Sequence, residues 1–382
     1  MNLTTSIRTA QTIAVEPEQA VQELYAALAQ DDMALVIFFC SNSYDRSRLA
    51  KAIQQLFADC QVLGCTTAGE IGPAGLQQHG LAGVSFSSAV CLATAGLLTN
   101  LKQIEIPKLH QFARQQLLDF QAQTIHAGPD KNFGILLIDG LSVREEPVSA
   151  ALQAELGNAP LVGGSAGDGL RFDRTFVYFN GAFHHDSAAL LLINTPLPFR
   201  VFKTQHFVPT EERMVVTVAD VRRRVVHEIN GRPAAEEYAR LIGVDVTDLN
   251  PGCFAKSPMV VMINGNYYVR SIQRVNPDGS LTFYCAIEEG LVLRVATGEG
   301  IVENLRLAFD KVREQIGRPQ LTLVCDCILR KLEVVERGLV EPVSQLLTDN
   351  NALGFNTYGE QFQGIHVNQT FAAVAIGGGS ND

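Results

Sequence analysis

The chain has no apolar run of transmembrane length, and residues 1–15 lack the hydrophobic segment of a secretion signal. A cytoplasmic protein without membrane insertion is the expectation. Positive charge is also scarce: 30 Lys and Arg against 40 Asp and Glu leave a formal charge of −10. Nucleic-acid binding needs concentrated cations to displace phosphate counterions, and the run Arg222-Arg223-Arg224 is too short to supply them. There is no His-Glu-x-x-His metal pair and no Cys-x-x-Cys-His for covalent haem attachment. No disulfide framework is expected either. The eight cysteines (40, 60, 65, 91, 253, 285, 325 and 327) sit mostly inside apolar runs, as buried thiols do in a reducing compartment. Cys325 and Cys327 lie two residues apart on an expected strand, inside an apolar run, and no metal shared between them is expected.

What the chain does have is repetition. Leu63-Gly64-Cys65-Thr66-Thr67-Ala68-Gly69-Glu70 returns as Leu353-Gly354-Phe355-Asn356-Thr357-Tyr358-Gly359-Glu360, identical at Leu, Gly, Thr, Gly and Glu. Between them, Val162-Gly163-Gly164-Ser165-Ala166-Gly167-Asp168 is one residue shorter, with Ser for Thr and Asp for Glu. Each turn follows an apolar strand, at 35–40, 133–138 and 321–327, and then a helix. Two of these helices open on the same tetrapeptide, Glu146-Pro147-Val148-Ser149 and Glu341-Pro342-Val343-Ser344. Proline and an acid both suit the first helical turn, so local chemistry accounts for part of the likeness. Duplication accounts for the rest.

The remaining pattern predicts an amphipathic helix over 17–29, helices near 109–121, 233–241 and 299–317, and strands at 202–207 and 214–219. Antiparallel strands are expected at 260–263, 267–272 and 281–285, joined by Asn264-Gly265 and Asn276-Pro277-Asp278-Gly279 turns. The fold class is α/β to α+β, with layered mixed sheets and internally repeated strand-helix-strand-glycine-turn units in two domains. The expected division is an N-terminal helix at 1–32, one domain at 33–224, a second at 225–376 and a flexible tail at 377–382.

The glycine turns can be read in two ways. Glycine permits close strand approach and positive φ, a structural role. Consecutive backbone N–H groups with nearby hydroxyls also form a donor surface for an anion, which would make Gly64, Thr66, Thr67, Gly163, Gly164 and Ser165 ligand-lining. The turns carry neither a Gly-x-x-x-x-Gly-Lys-Ser/Thr loop nor Gly-x-Gly-x-x-Gly, so nucleotide binding is poorly supported. Glu70, Asp168 and Glu360 are placed to accept hydrogen bonds from neighbouring backbone. His206, in an apolar strand-like run, is a candidate axial ligand and metal ligand for haem iron, and His366 has similar standing.

These residues resemble a known family. Gly64–Glu70 and Leu161–Asp168 look like the hallmark turns of the FIST N-terminal domain. Glu228-Ile229-Asn230-Gly231-Arg232-Pro233-Ala234 with Tyr238, Cys327 with Arg330, Tyr358-Gly359-Glu360 and Asn368-Gln369-Thr370 look like its C-terminal partner domain. The resemblance spans about 33–376 and implies an intracellular sensory module that binds a small ligand, amino acids among them. The stretch 359–370 is similar to the nitric-oxide-sensing NosP subgroup. That likeness implies haem b, a gas ligand, and regulation of a separate histidine kinase or a cyclic-di-GMP pathway. The competing expectation is a haem-free module for an amino-acid-like ligand, using the turns with Arg330 and Asn368. No enzymatic activity is expected, since neither Cys65 nor Cys327 has an identifiable base. Homo-oligomerisation is left open.

Overall fold

The computed structural model describes residues 6–124, 128–263 and 265–378. Asn264 and positions 379–382 of the expected tail lie outside them. Three units carry the three glycine turns, each on a pair of parallel strands with a helical crossover. The first comprises Met33–Ser41, Arg46–Leu56 and Gln61–Thr67. The second comprises Asn132–Ile138, Glu145–Leu156 and Leu161–Ser165. The third comprises Pro319–Cys327, Val340–Asp349 and Ala352–Thr357, with one more helix, Ile328–Glu336, inserted before Val340. The layered, mixed-sheet architecture with repeated units is therefore the one the sequence pattern predicts. The strands read as continuous apolar runs because both their faces are covered.

The turns do not close their own units. Each sends the chain into a hairpin that joins a neighbour's sheet. Hairpin 70–77 pairs with the third unit, Phe355 facing Glu70. Hairpin 177–184 pairs with the first, Cys65 facing Val177. Hairpin 360–367 pairs with the second, Gly164 facing Glu360. The chain then returns home through Leu81–Ser87, Ser187–Asn194 or Phe371–Gly378, each antiparallel to its unit's first strand. Edge strands Ile7–Thr12, Leu92–Thr99 and Phe199–Thr204 complete three six-stranded sheets of matching order.

The inner faces of all three sheets meet in one core that includes Ile37, Leu63, Ile135, Leu191, Leu323 and Val374. At its centre Phe39 of the first unit stacks on Phe355 of the third, with ring centroids 4.6 Å apart. Burying one such side chain contributes roughly 1.5–3 kcal/mol, so the shared core binds the units into one body. Outer faces are covered locally. Val21, Leu24 and Leu28 of helix Pro17–Leu28, for example, pack with Leu49 and Ile53 over the first sheet.

Residues 207–298 form a separate body inserted in the third unit. Its antiparallel sheet includes Phe207–Asp220, Val225–Ile229, Met259–Ile263 and Val292–Gly298, with helices Ala234–Ile242 and Pro251–Lys256 against it. Met214, Val226, Tyr238 and Phe254 belong to its own core. The chain enters at Phe207 and leaves at Gly298, which face each other in register.

One local expectation changes. The run expected as one strand at 202–207 is two strands in different sheets, Phe199–Thr204 and Phe207–Asp220. Gln205 and His206 lie at the crossing, where the chain passes from core to insert. The insert also spans the expected boundary at 224/225, and within 1–32 a strand, Ile7–Thr12, precedes the helix.

Candidate ligand-binding site

The three turns meet at one end of the core and bond to one another in a ring. Ala68 N donates to Asn356 O at 3.0 Å, Gly167 N to Thr66 O at 2.9 Å, and Ser165 N to Gly359 O at 2.8 Å. Within the first and third turns the wiring is the same. Thr67 and Thr357 each donate a hydroxyl to the following glutamate and accept the glycine N–H, at 3.3 and 3.2 Å. Glu70 then accepts Gly80 N at 3.0 Å, and Glu360 accepts Thr370 N at 3.1 Å. Asp168 of the second turn instead accepts three consecutive N–H groups, from Phe172, Asp173 and Arg174, at 2.8–3.0 Å. The acid after each turn is thus a backbone clamp. Burial pushes the Glu70 carboxyl up to about 7 and the Glu360 carboxyl up to about 8.

Beyond this shared frame the turns differ. The third lies under the insert: the Gln369 amide donates to Phe254 O at 2.9 Å, and Tyr284 packs against Tyr358 at 5.8 Å. Arg224 of the insert binds Glu145 and Glu146 at the start of the second unit's helix, and Ala286 N donates to Glu146 at 2.6 Å. At this seam a set of buried polar atoms has no hydrogen-bond partner of good geometry. They are His366 Nε2, both amide atoms of Asn368, Oε1 of Gln361 and of Gln369, and, from the insert, Arg270 Nε and Ser271 Oγ. His366, Gln361, Asn368 and Gln369 are at most 2% exposed. His366 Nε2 and Asn368 Nδ2 lie 2.7 and 2.8 Å from the point where a Cβ on Gly359 would stand, so both converge above that glycine. The Gln361 amide donates to Ser165 Oγ at 2.9 Å and faces His366 Nδ1 at 3.3 Å, which leaves Nε2 as the protonated nitrogen of a neutral ring. Burial holds the His366 ring down at about 4 despite nearby Glu146.

The first turn is open instead. A cavity of 310 Å³ lies beside it, walled by Thr67, Glu70, Asp168, Arg171 and Lys331 among others. Several of its polar groups are engaged: Lys331 Nζ donates to Ala68 O at 3.0 Å, Glu70 is held by Thr67 and Gly80, and Ser41 bonds Ser43 at 2.8 Å. Beside the first turn the unpartnered buried atom over Gly69 is Asn356 Oδ1, whereas the larger cluster of such atoms lies at the third turn. A buried polar group without a partner costs roughly 1–3 kcal/mol, so the third turn is the place with the larger unmet chemical demand.

The residues singled out from sequence fall into three groups. Gly64, Gly163 and Gly164 serve packing. A Cβ on Gly163 would stand 1.9 Å from Leu136 O, one on Gly64 2.6 Å from Phe38 O, and one on Gly164 2.6 Å from the Thr357 methyl. Thr66 is fully buried and accepts Phe176 N at 3.0 Å, while Thr67 lines the open cavity. Ser165, His366 and Asn368 come together at the third turn. Arg330 and His206 are elsewhere, in a buried chain: Arg330 bonds Asp326 at 2.7 Å and donates to His206 Nδ1 at 3.1 Å, and His206 Nε2 donates to Glu333 at 2.9 Å. That chain ties helix Ile328–Glu336 to the crossing between core and insert. Sequence reading missed Gln361, Gln369, Arg270 and Ser271. Gln361 carried a signal, a polar residue where the first unit has Ile71.

The residues do not fit haem. Both ring nitrogens of His206 are occupied and its side chain is fully buried against Phe207, with ring centroids 4.2 Å apart. His366 Nε2 has no hydrogen-bond partner of good geometry, but the ring faces the Tyr284 backbone, amides and a glycine backbone rather than an apolar slot. Neither histidine lines the 310 Å³ cavity. No group of three His, Cys, Asp or Glu side chains among the described residues is placed to hold a metal ion. Gly163-Gly164-Ser165-Ala166-Gly167 does spell the Gly-x-Ser-x-Gly of a nucleophile elbow. Ser165 is wholly buried, however, and its hydroxyl is held by an amide rather than by a histidine. Burial pushes the Cys65 and Cys327 thiols far above their ordinary range, which opposes nucleophilic use.

Among curated proteins, an uncharacterized protein of Methanocaldococcus jannaschii is 27% identical over 283 residues, covering 64% of this chain. The chain spans about half the length of that relative, 54%. No helix of the described residues is long and apolar enough to cross a membrane. Residues 34–232 match the FIST N domain and residues 234–363 match the FIST C domain, sensory domains of signal transduction. The ring of turns, the exchanged hairpins and the insert are thus the anatomy of a FIST protein, and the chain belongs to that family.

Proposed function

We propose that the protein is a haem-free sensor of a small polar ligand, bound at the seam between the third glycine turn and the insert. The observation that carries this reading is the convergence of unpartnered buried atoms there: His366 Nε2, the Asn368 amide, and the Gln361 and Gln369 carbonyls. Donors and acceptors stand side by side, which suits a zwitterion of amino-acid type. Its carboxylate would take N–H groups of His366, Asn368 and Arg270, and its ammonium the amide oxygens. The neutral state of His366 supports this role, because the ring donates one hydrogen bond without bringing a charge into the seam.

The insert supplies the signal. It is joined to the core by two paired strand ends and by the Arg224 clasp on Glu145 and Glu146. Ligand entry requires the seam to part. A ligand that binds one insert position better than another shifts their populations, and a separate signalling protein reads the change. Haem-based nitric-oxide sensing is the weaker reading because His206 has no free nitrogen.

Thermal-shift titration with a panel of the common amino acids tests the proposal. At least one should raise the melting temperature of the wild type, by the linkage of binding to folding, and have no effect on Asn368→Ala. A panel that leaves the wild type unchanged, or a Soret band after haemin reconstitution that His366→Ala abolishes, would overturn it.

A further inference from the structure

The three six-stranded sheets have equivalent edge strands, but the edges are not alike. Leu92–Thr99 carries no charged residue. On Ile7–Thr12 the one cation, Arg8, is spent on the Ala29 carbonyl. The third edge, Phe199–Thr204, pairs only with Phe371–Gly378 and turns its other side outward. Arg200 and Lys203 lie on this strand and Lys311 on the helix beside it. None of the three has an acidic partner among the described residues, in a chain whose formal charge is −10.

This edge is also flanked by a cavity on each face of the sheet. On the side of helix Ile301–Ile316, a cavity of 240 Å³ is bordered by Arg200, Phe202, Thr204 and Lys311. On the opposite side, one of 550 Å³ is bordered by Phe199, Val201, Lys203 and Phe362 and reaches round the edge to Arg200 and Phe202. Successive side chains of any strand laid along the edge would point alternately into the two.

We propose that this edge is a docking site for an extended acidic segment of a partner protein, which adds as a seventh strand. Main-chain hydrogen bonds to Phe199–Thr204 hold the segment. Its acidic side chains meet Arg200 and Lys311 on one face and Lys203 on the other, and apolar ones cover Phe202 and Phe362. Lysines at sheet edges also serve to repel unwanted pairing, but that role needs an ammonium projecting into water. Lys203 instead lies half-buried over two rings, 5.5 Å from Tyr268 and 5.9 Å from Phe362. It lines a receiving surface.

The test uses the full chain and two labelled octapeptides, one alternating Glu and Val, the other Lys and Val. The Glu–Val peptide should bind by fluorescence anisotropy, weaken as salt rises, and slow amide exchange within 199–204. The double variant Arg200→Glu, Lys203→Glu, checked for an unchanged melting temperature, should lose at least tenfold affinity for it and gain affinity for the Lys–Val peptide. His366→Leu should bind the Glu–Val peptide as the wild type does, which separates this site from the ligand seam. The proposal fails if protection does not map to 199–204 or if the wild type binds both peptides equally. It also fails if the free protein already protects these amides by self-association.

Discussion

The first and third turns are a natural controlled comparison. Leu63–Gly80 and Leu353–Thr370 correspond without insertion or deletion, and their Thr-to-Glu and Glu-to-backbone bonds are the same. On the hairpins that follow, Ile71 faces Leu76 in the first unit, whereas Gln361 faces His366 in the third. Gln78 and His79 are exposed, but their counterparts Asn368 and Gln369 are buried. One scaffold has therefore been completed with apolar contacts in one copy and with unsatisfied polar groups in the other. The shared part is architecture. The divergent part is where the ligand site is proposed.

The shared part can be broken most severely. Gly163→Ala and Gly354→Ala each place a methyl group 1.9 Å from the carbonyl of the adjacent parallel strand. Each should cost ~3 kcal/mol or more, with similar losses in both units by urea unfolding. Gly359→Ala should match them, since φ is 151° and the new Cβ would meet His366 at 2.3 Å.

Next in size is the pH response of the third turn. His366 is held at about 4 against an ordinary value of 6.5, so the unfolded chain takes up the proton first. Its contribution is complete above pH 6.5 and is lost as pH falls through 4, on the order of 3 kcal/mol. Glu360, raised to about 8 from 4.5, acts in the opposite direction, losing its contribution as pH rises through 8. Melting temperature against pH should show both limbs. His366→Leu should remove the acidic one and leave the alkaline one.

Importing the first unit's pair sharpens the comparison further. The double variant Gln361→Ile, His366→Leu removes unpaired polar atoms together with the Gln361–Ser165 hydrogen bond, and by denaturant unfolding it should lie within ~1 kcal/mol of the wild type. It should also lose every ligand response. A larger drop in stability would mean that water or protein already satisfies these groups. The smallest effect is expected at the open turn. Lys331→Met removes one hydrogen bond to Ala68 O, at ~1 kcal/mol, and should leave ligand-induced stabilisation intact.

Much of this architecture was legible in the sequence. The repeated turns, the proline-led helices and the apolar strands each follow from local chemistry. The acid after each turn was correctly read as a backbone acceptor. The hairpin exchange was not legible, because hairpins such as 70–77 and 360–367 are too short to specify which sheet they join. The insert hid for a related reason. Its strands read as ordinary antiparallel ones, and only the Phe207–Gly298 register shows that chain exit and return are adjacent. Of the site residues expected from sequence, His366 and Asn368 lie at the third turn, while His206 lies away from it. An apolar neighbourhood looks the same in sequence whether it surrounds an open metal position or, as here, an imidazole clamped between Arg330 and Glu333.

The claim that the third turn binds the ligand and the first does not is tested most directly by one titration series. Melting temperature is followed with the amino-acid panel for the wild type, Asn368→Ala and Lys331→Met in parallel. Stabilisation of the wild type and Lys331→Met by the same compound, absent in Asn368→Ala, is the expected result. Stabilisation that survives in Asn368→Ala and disappears in Lys331→Met would place the ligand in the open cavity and contradict it.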